Sequence, residues 1–525
     1  MSDLDTGLSR ALSPLGRVLM VQGTASHVGK SVLVAALCRI LRQDGLRVAP
    51  FKAQNMSNNS YITVNGGEIG RAQVVQAEAA GVEARVEMNP VLLKPEADNC
   101  AQVVMMGRPI TRARARDYYD LKSTLWGAVT QSLDTLRRQY DAVVIEGAGS
   151  PAEINLKATE IVNMRVALYA DAPVLLCGDI DRGGVFASLV GTLQLLDKPE
   201  REAVKGLIIN KFRGDISLLN DGLTWLEGYT GKPVVGVVPH FCDIHIPEED
   251  SVALDMVRPA SDIAPVLDVA VVQLPHISNF DDFDPLAYEP GISLRYVSCG
   301  DHLGRPDLVI LPGSKTTIPD LLWMAQQGLS RAVVEAFENG SAVIGICGGY
   351  QMLGETIRDP HGVESSVDTV NGLGLLPLVT TFANSKETHR VQAKVRAEAT
   401  AVDGLLSGVA DELVTGYEIH MGHTVGKGVV PIFAIDRVNA QVTQTVLDGA
   451  MDSTGRVMGT YIHGLFHNAG VRRAILQALA RLKRVTLPIG VDVVRDREYD
   501  RLADWVRNSL RMDLVYQMMD VSINE

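Results

Sequence analysis

Short, almost wholly apolar runs recur along the chain, and each leads into a loop rich in Gly, Asn, Asp or Lys and then into a helical pattern. Strands without a polar face are typical of a parallel sheet that helices cover on both sides. In such a sheet, ligands bind at the carboxyl ends of the strands. The first series of runs is Val18–Gln22, Arg47–Phe51, Ala142–Glu146, Val174–Gly178, Gly206–Asn210 and Val234–Val238.

A second series follows an acidic, proline-containing segment, and its runs are Val269–Leu274, Ser293–Ser298, Asp307–Leu311 and Ala342–Ile346. A chain of 525 residues is also too long for one hydrophobic core. We therefore predict an α/β protein of two doubly wound, mainly parallel-sheet domains. The predicted units are a tail (1–14), a first domain (15–245), a linker (246–265), a second domain (266–485) and a C-terminal extension (486–525) with one amphipathic helix, Tyr499–Leu510.

The overall charge limits the partners of the chain. A formal net charge of −13 argues against non-specific binding of nucleic acid. The basic stretch Arg108–Arg116 is interpreted as a solvated helix face. Because we find neither a signal peptide nor an apolar run that could span a bilayer, we expect a cytoplasmic protein without a membrane partner.

A phosphate-binding loop follows the first run, in the segment Val18-Leu-Met-Val-Gln-Gly-Thr-Ala-Ser-His-Val-Gly-Lys-Ser31. Backbone N–H groups of such a loop surround phosphate oxygens, Lys30 reaches the terminal phosphates, and Ser31 can bind Mg²⁺. Thr24 stands at the usual first glycine position, with Gly23 one residue earlier and Gly29 at the helix start. This variant resembles the dethiobiotin synthetase-like group of ATP-dependent enzymes that activate carboxylates.

Polar residues at other strand ends extend this predicted site. Glu146 ends an apolar strand, where we expect a carboxylate that serves Mg²⁺. The resemblance implies that Asn210 and Lys211 recognise adenine. Lys52 is placed to hold the transferring phosphate or a substrate carboxylate. Asp179 and Asp181 could bind metal, orient substrate, or simply cap a helix.

A nucleophile elbow is predicted at Cys347, which lies between the apolar run Ala342–Ile346 and the pair Gly348-Gly349. Small glycines permit the sharp strand-to-helix turn that exposes a nucleophile above a sheet. A helix beginning at Gly348 would direct free N–H groups at the sulfur and favour the thiolate. A buried structural cysteine is the alternative.

His463, in Gly459-Thr-Tyr-Ile-His-Gly464, is the candidate base for this cysteine. With Cys347 it resembles the class I glutamine amidotransferases, and the resemblance implies oxyanion donors from Gly348 and from the loop of Gly313. Most members carry a glutamate two residues after the histidine, where this chain has Leu465. Either a Cys–His dyad operates, or another group such as Glu418 orients His463.

The combination of these two domains resembles the cobyrinic acid amidating enzymes of corrinoid biosynthesis, and among them the cobyric acid synthase group. Long strings carry this resemblance, including Phe51-Lys-Ala-Gln-Asn-Met-Ser-Asn-Asn-Ser60 and Gly67-Glu-Ile-Gly-Arg-Ala-Gln73. It implies amidation of the b, d, e and g carboxylates of adenosylcobyrinic acid a,c-diamide, or of its hydrogenobyrinic counterpart. Each cycle would consume glutamine and ATP and would use Mg²⁺ as a cofactor.

The implied substrate is a corrinoid polycarboxylate, and the candidate residues for binding it are Lys52, Asn55, Arg71, Lys94, Asp181 and Arg182. Two alternatives remain within the same chemistry: an a,c-diamide synthase, and a relative that amidates a cell-wall lipid precursor. An alternative of another class is a ParA-like switch ATPase with an inert second domain. The oligomeric state, the order of amidation and the presence of cobalt stay open.

Overall fold

The computed structural model describes residues 15–97, 99–114, 117–241, 244–247, 264–401, 403–439, 442–488, 490 and 494–522. The predicted N-terminal tail lies outside these ranges, and so do positions 248–263 of the predicted linker and the last two residues of the basic stretch. The predicted domain limits stay a prediction.

The first part of the chain alternates strands with helices, as its apolar runs indicate. Its strands are β1 (Arg17–Gly23), β2 (Val48–Phe51), β3 (Gln54–Met56), β4 (Ser60–Ile62), β5 (Glu68–Gly70), β6 (Val91–Ala97), β7 (Cys100–Met105), β8 (Arg108–Arg114), β9 (Ala142–Glu146), β10 (Val174–Asp179), β11 (Val204–Phe212) and β12 (Val234–Pro239). Its helices are α1 (Lys30–Gln43), α2 (Arg71–Ala80), α3 (Tyr118–Gln139), α4 (Met164–Ala170), α5 (Val185–Leu195), α6 (Lys198–Ala203) and α7 (Asn220–Thr230).

A six-stranded parallel sheet forms the centre of this domain, in the order β12-β11-β10-β1-β9-β2. Each of the six apolar runs of the first series coincides with one of its strands, although β2 begins at Val48, one residue later than predicted, so this prediction is confirmed. Side chains of β1 and β9 are buried on both faces of the sheet. The phosphate loop follows the central strand β1, and Glu146 ends its neighbour β9. Adjacent parallel strands therefore bring these residues to one edge.

The segment between β2 and α3 forms smaller sheets, β3-β6-β7-β8 and β4-β5. Here the interpretation of the basic stretch as a helix face is wrong, because Arg108–Arg114 is strand β8. Only Ala113 of this strand is buried, and its arginines are exposed along the edge. Ile110 and Thr111 are β-branched, and Pro109 is tolerated on an edge strand, so local preference favours the strand.

The second part of the chain begins with another alternating series and then becomes richer in strands. The strands are β13 (Leu267–Val272), β14 (Ile277–Ser278), β15 (Ile292–Val297), β16 (Leu308–Leu311), β17 (Gly313–Ser314), β18 (Ala342–Ile346), β19 (Thr356–Arg358), β20 (Thr369–Asn371), β21 (Leu378–Val395), β22 (Leu413–Gly426), β23 (Phe433–Asn439), β24 (Val442–Asp448), β25 (Ala450–Met451) and β26 (Val457–Thr460). The helices are α8 (Asp284–Ala287), α9 (Thr317–Gln326), α10 (Leu329–Glu338), α11 (Gly348–Met352), α12 (Ala397–Thr400) and α13 (Ala469–Lys483).

Its central sheet has the order β15-β13-β16-β18-β26-β25 and is parallel except for the edge strand β25. A second sheet, with β21 as its long strand, is mainly antiparallel. The prediction of two mainly parallel α/β domains is confirmed. Strands β18 and β26 are neighbours, and Ile346 pairs with Thr460. This register places Cys347 and His463 at the same sheet edge.

The predicted helix of the C-terminal extension is present as α14 (Arg495–Arg507), but it begins before Tyr499 and ends before Leu510. A further helix that was not predicted, α15 (Met512–Met519), follows it. Between them, Leu510 pairs with Gly236 of β12, and the N–H of Arg511 donates to the carbonyl of Val235 (2.8 Å). Helix α14 packs on α1 of the first domain. Among the described residues, none of the helices is long and apolar enough to cross a membrane.

Candidate active sites

The phosphate loop between β1 and α1 is closed around the amine of Lys30. Its Nζ donates to the carbonyl oxygens of Ala25 (3.0 Å) and Gly149 (3.2 Å). A Cβ added to Gly23 would lie 3.0 Å from that nitrogen. Gly29 has a φ of +97°, which only glycine adopts without strain. The structure therefore brings the predicted loop residues together around one buried cation.

Glu146 is the buried carboxylate of this site. Its Oε1 accepts a hydrogen bond from the Ser31 hydroxyl (2.8 Å) and forms an ion pair with Lys52 Nζ (2.8 Å). Its Oε2 accepts from Gln76 Nε2 (2.5 Å). The sequence reading missed Gln76, which lies in the middle of α2 and carries no motif of its own. A hydroxyl beside a carboxylate is an oxygen donor set of the kind that Mg²⁺ takes.

Asn210 and Lys211 lie at the other end of the loop. The Asn210 side-chain amide donates to the carbonyl of Val28 (2.8 Å). Its buried Oδ1 has no hydrogen-bond partner within the described ranges. Lys211 bonds to the carbonyl of His27 (2.7 Å) and to Asp179 (2.9 Å). A free acceptor oxygen against the phosphate loop fits an adenine amino group, which is a hydrogen-bond donor.

The remaining residues predicted for substrate binding do not form one cluster. Asp181 and Arg182 are near the same edge as the phosphate loop, and Asp181 accepts from Arg213 (3.0 Å). Arg182 Nε is 4.0 Å from Asp179. Asn55 is buried and donates to Gln73 Oε1 (3.0 Å). Their roles in substrate binding stay predictions.

Lys94 and Arg71 lie at the boundary between the two domains. Lys94 Nζ is 2.5 Å from Glu68 Oε1, and Lys386 of β21 is 2.6 Å from the other oxygen of Glu68. Burial lowers the pKa of Lys94 to about 8, although Glu68 opposes this shift. Arg71 Nε is 2.9 Å from Asp281 of the second domain. The binding of substrate by Lys94 and Arg71 likewise stays a prediction.

Cys347 stands on a strained turn between β18 and α11. Its φ of +51° and ψ of −106° lie outside the regions that a cysteine ordinarily adopts. The flanking glycines make the turn possible: a Cβ on Gly349 would lie 2.0 Å from the carbonyl oxygen of Leu311, and a Cβ on Gly345 would lie 2.6 Å from that of Gly349. The structure therefore has the geometry of a nucleophile elbow.

His463 is held by an aspartate that the sequence reading did not identify. Its Nδ1 is 2.7 Å from Asp282 Oδ2, and the N–H of Gly464 donates to Asp282 Oδ1 (2.8 Å). Within the described ranges, Nε2 makes no hydrogen bond of ordinary geometry. A histidine held at one ring nitrogen keeps the other for the nucleophile. The site is therefore a Cys–His–Asp arrangement of Cys347, His463 and Asp282.

Electrostatics favour the charged form of this histidine. Burial alone would lower its pKa, but the charges of Asp282 and Cys347 outweigh burial and raise the pKa of His463 to about 10. Both Asp282 and His463 are almost completely buried. An imidazolium between a carboxylate and a sulfur stabilises the thiolate, which is the reactive form of cysteine.

Glu418 does not orient His463, so that candidate is wrong. It bonds to Arg437 through both oxygens (2.7 and 3.2 Å) and lies 3.8 Å from His420. Burial would raise the pKa of Glu418, but these two residues lower it to about 2. The missed Asp282 belongs to a run of acids and phenylalanines, Phe280–Asp284, soon after β13. An acid between phenylalanines that pack in the core is itself buried and needs a partner, and this pattern could have indicated Asp282 from the sequence.

The predicted oxyanion loop lies against His463 and against Gly348, the residue that follows Cys347. Gly313 pairs with Ser278, and a Cβ on Gly313 would lie 2.9 Å from Cε1 of His463. A Cβ on Gly348 would lie 2.9 Å from the backbone nitrogen of Ser314. The absence of side chains at Gly313 and Gly348 therefore permits the close approach that two backbone donors to one oxyanion need.

Family matches agree with this division of the chain. Residues 19–251 match the CobQ/CobB/MinD/ParA nucleotide binding domain. Residues 268–471 match the CobB/CobQ-like glutamine amidotransferase domain. A nucleotide site and a Cys–His–Asp site in one chain define an ATP-dependent, glutamine-hydrolysing amide ligase.

Sequence comparison with curated relatives identifies the family within this class of ligases. The chain is 50% identical over 509 residues to the cobyric acid synthase of Dehalococcoides mccartyi strain CBDB1, covering 97% of this chain and 100% of the relative. It is 51% identical to that of Sorangium cellulosum (94% and 96% covered) and 52% identical to that of Moorella thermoacetica (89% of each). The chain belongs to the cobyric acid synthase family.

The Asp282→Asn variant tests the role of this carboxylate. Asparagine removes the charge that raises the pKa of His463, so the imidazolium is lost at lower pH and the basic limb of glutamine hydrolysis moves to lower pH. We expect the rate of glutamate release near neutral pH to fall roughly 10³-fold. Glu418→Gln is the matched control, with a much smaller expected loss. An equal effect of both substitutions would contradict the assignment of Asp282.

Proposed function

We propose that the chain produces cobyric acid by amidating the b, d, e and g carboxylates of adenosylcobyrinic acid a,c-diamide, or of its hydrogenobyrinic counterpart. Relatives of about 50% identity over nearly the whole chain support this substrate. The observation that carries the proposal is that one chain holds a phosphate loop beside Glu146 and a strained turn at Cys347 near the His463–Asp282 pair. An ATP-consuming synthesis of this kind is expected in the cytoplasm.

The first half-reaction makes a poor electrophile reactive. A substrate carboxylate oxygen attacks the γ-phosphorus of ATP, ADP leaves, and an acyl phosphate forms. Positioning and charge stabilisation dominate the catalysis of phosphoryl transfer. Lys30 and Lys52 are both buried at the loop and would stabilise the phosphoryl oxygens. Asn210 Oδ1 would accept from the adenine amino group.

Ser31 and Glu146 are the residues that would hold Mg²⁺ in this site. Their hydroxyl and carboxylate oxygens are 2.8 Å apart. When bound, the cation neutralises phosphate charge during transfer. Lys52, which is ion-paired with Glu146, would then hold the transferring phosphate or the incoming carboxylate.

The second half-reaction supplies ammonia. The Cys347 thiolate attacks the side-chain amide of glutamine, and N–H groups at Gly313 and Gly348 stabilise the oxyanion. His463 gives a proton to the departing ammonia and then activates the water that releases glutamate. Ammonia attacks the acyl phosphate, forms the amide and expels phosphate, and water accepts the remaining proton.

The two alternative functions differ from the proposed one in different ways, one in the activity of the second domain and the other in the corrinoid substrate. A ParA-like switch ATPase would turn over ATP without hydrolysing glutamine, yet the second domain holds a complete Cys–His–Asp arrangement. An a,c-diamide synthase would use the same two half-reactions on a different corrinoid acid. Assays with cobyrinic acid and with its a,c-diamide, each given ATP and glutamine, separate these two substrates.

The Cys347→Ala variant separates the half-reactions. We expect it to lose glutamine-dependent amidation because the nucleophile is absent, and to retain ATP-dependent amidation with ammonium. Amide formation is followed by mass spectrometry of the corrinoid. Cys299→Ala, at a half-buried cysteine of the same domain, is the control and keeps both activities. A folded Cys347→Ala protein that ammonium fails to rescue would contradict two separable half-reactions.

The Lys30→Ala variant tests the activation step. Without this amine the phosphate charge is not stabilised, so we expect loss of amidation with either nitrogen source, by roughly 10²-fold or more. Lys205→Ala, at an exposed position of β11, is the control. Persistent amidation by a folded Lys30→Ala protein would contradict the role of the phosphate loop.

A further inference from the structure

Helix α2 lies between the two candidate active sites. Nearly every side chain of Arg71–Ala80 is buried, including the polar Arg71, Gln73 and Gln76. Gln76 bonds to Glu146 in the phosphate site (2.5 Å), and Gln73 bonds to Asn55 (3.0 Å). The helix is therefore fixed to the synthetase site by its own side chains.

The first residue of this helix reaches the other domain. Arg71 Nε is 2.9 Å from Asp281 Oδ2, and the side chains of both residues are less than one-twentieth exposed. Asp281 directly precedes Asp282, which holds His463 at 2.7 Å. The guanidinium also lies 5.4 Å from the centre of the Tyr61 ring. Two adjacent aspartates, Asp281 and Asp282, thus connect Arg71 to His463.

Two adjacent carboxylates buried in one place repel each other. Burial raises the pKa of Asp281, and the charge of Asp282 raises it further, while Arg71 is the strongest of the opposing influences. The charged and titratable groups that face this acidic pair are Arg71, Arg495, Tyr417, His463 and His467. Without the charge of Arg71, the buried carboxylate of Asp281 would lack its main cationic partner. A buried carboxylate without a cationic partner takes up a proton more readily.

We propose that Arg71 is a positioning residue of the glutaminase site, supplied by the synthetase domain. By pairing with Asp281, Arg71 fixes the position of this residue pair and keeps Asp282 directed at Nδ1 of His463. This inference rests on the proposed function of Cys347 and His463. It gives Arg71 a role different from the substrate binding that the sequence predicts.

The test uses the full-length chain with Arg71→Gln and Arg71→Lys. Near the acidic limb, we expect Arg71→Gln to lower glutamine hydrolysis roughly tenfold and to move that limb to higher pH by about one unit. Asp281 without its cation takes up a proton more readily and no longer fixes the position of its neighbour Asp282. Arg71→Lys keeps the charge and should restore most of the profile. Amidation with ammonium, and its KM for the corrinoid, should stay unchanged.

Arg390→Gln is the matched control. Arg390 lies at the same boundary, 5.8 Å from the Tyr61 ring, but its ion pair is with Glu83 (3.2 Å). We expect its glutaminase pH profile to match that of the unmodified chain.

Two outcomes would overturn the proposal. One is a glutaminase pH profile of Arg71→Gln equal to that of the unmodified chain. The other is a raised KM for the corrinoid with ammonium as the nitrogen source, which would make Arg71 a substrate-binding residue. A failure of the proposed function looks different, because the unmodified chain would then release no glutamate from glutamine.

Discussion

A buried charge needs a partner of opposite sign, and in this molecule that requirement joins the two domains. Glu68 of the first domain is neutralised partly by Lys386 of the second (2.6 Å), and Glu96 pairs with Lys315 (2.7 Å). Arg71 pairs with Asp281 in the same way. Each pair is stable only while both domains are in contact, so the arrangement of the glutaminase site depends on its neighbour.

The apolar part of the same boundary lies beside the nucleophile. Ile62 of the first domain belongs to a small cluster with Tyr417 and Ile419 of the second. The carbonyl oxygen of Ile419 is 3.5 Å from the sulfur of Cys347, and the Tyr417 ring stacks on His463. Cys347 and His463 therefore lie close to residues of the first domain. Segment 52–62 continues from this cluster to Lys52 at the phosphate site.

Sequence reasoning succeeded where a function depends on local order along the chain. The apolar runs, the loop before Lys30 and the glycines around Cys347 each carry their signal within a few residues. It failed where the partner is distant: Asp282 is 181 residues from His463, and only the folded chain shows that they meet. The contacts of Gln76 with Glu146 and of Arg71 with Asp281 were hidden for the same reason, because a helix sequence does not reveal which distant residues its side chains meet.

Isotope transfer tests most directly whether the Cys347 site feeds the phosphate site within the molecule. The unmodified chain is given ATP, the corrinoid a,c-diamide, glutamine labelled with ¹⁵N in its side-chain amide, and an excess of unlabelled ammonium. If the two sites are coupled in this way, we expect mass spectrometry to find a ¹⁵N fraction in the new corrinoid amides far above that of the ammonium in the medium. Amides with the isotope content of the medium would contradict it.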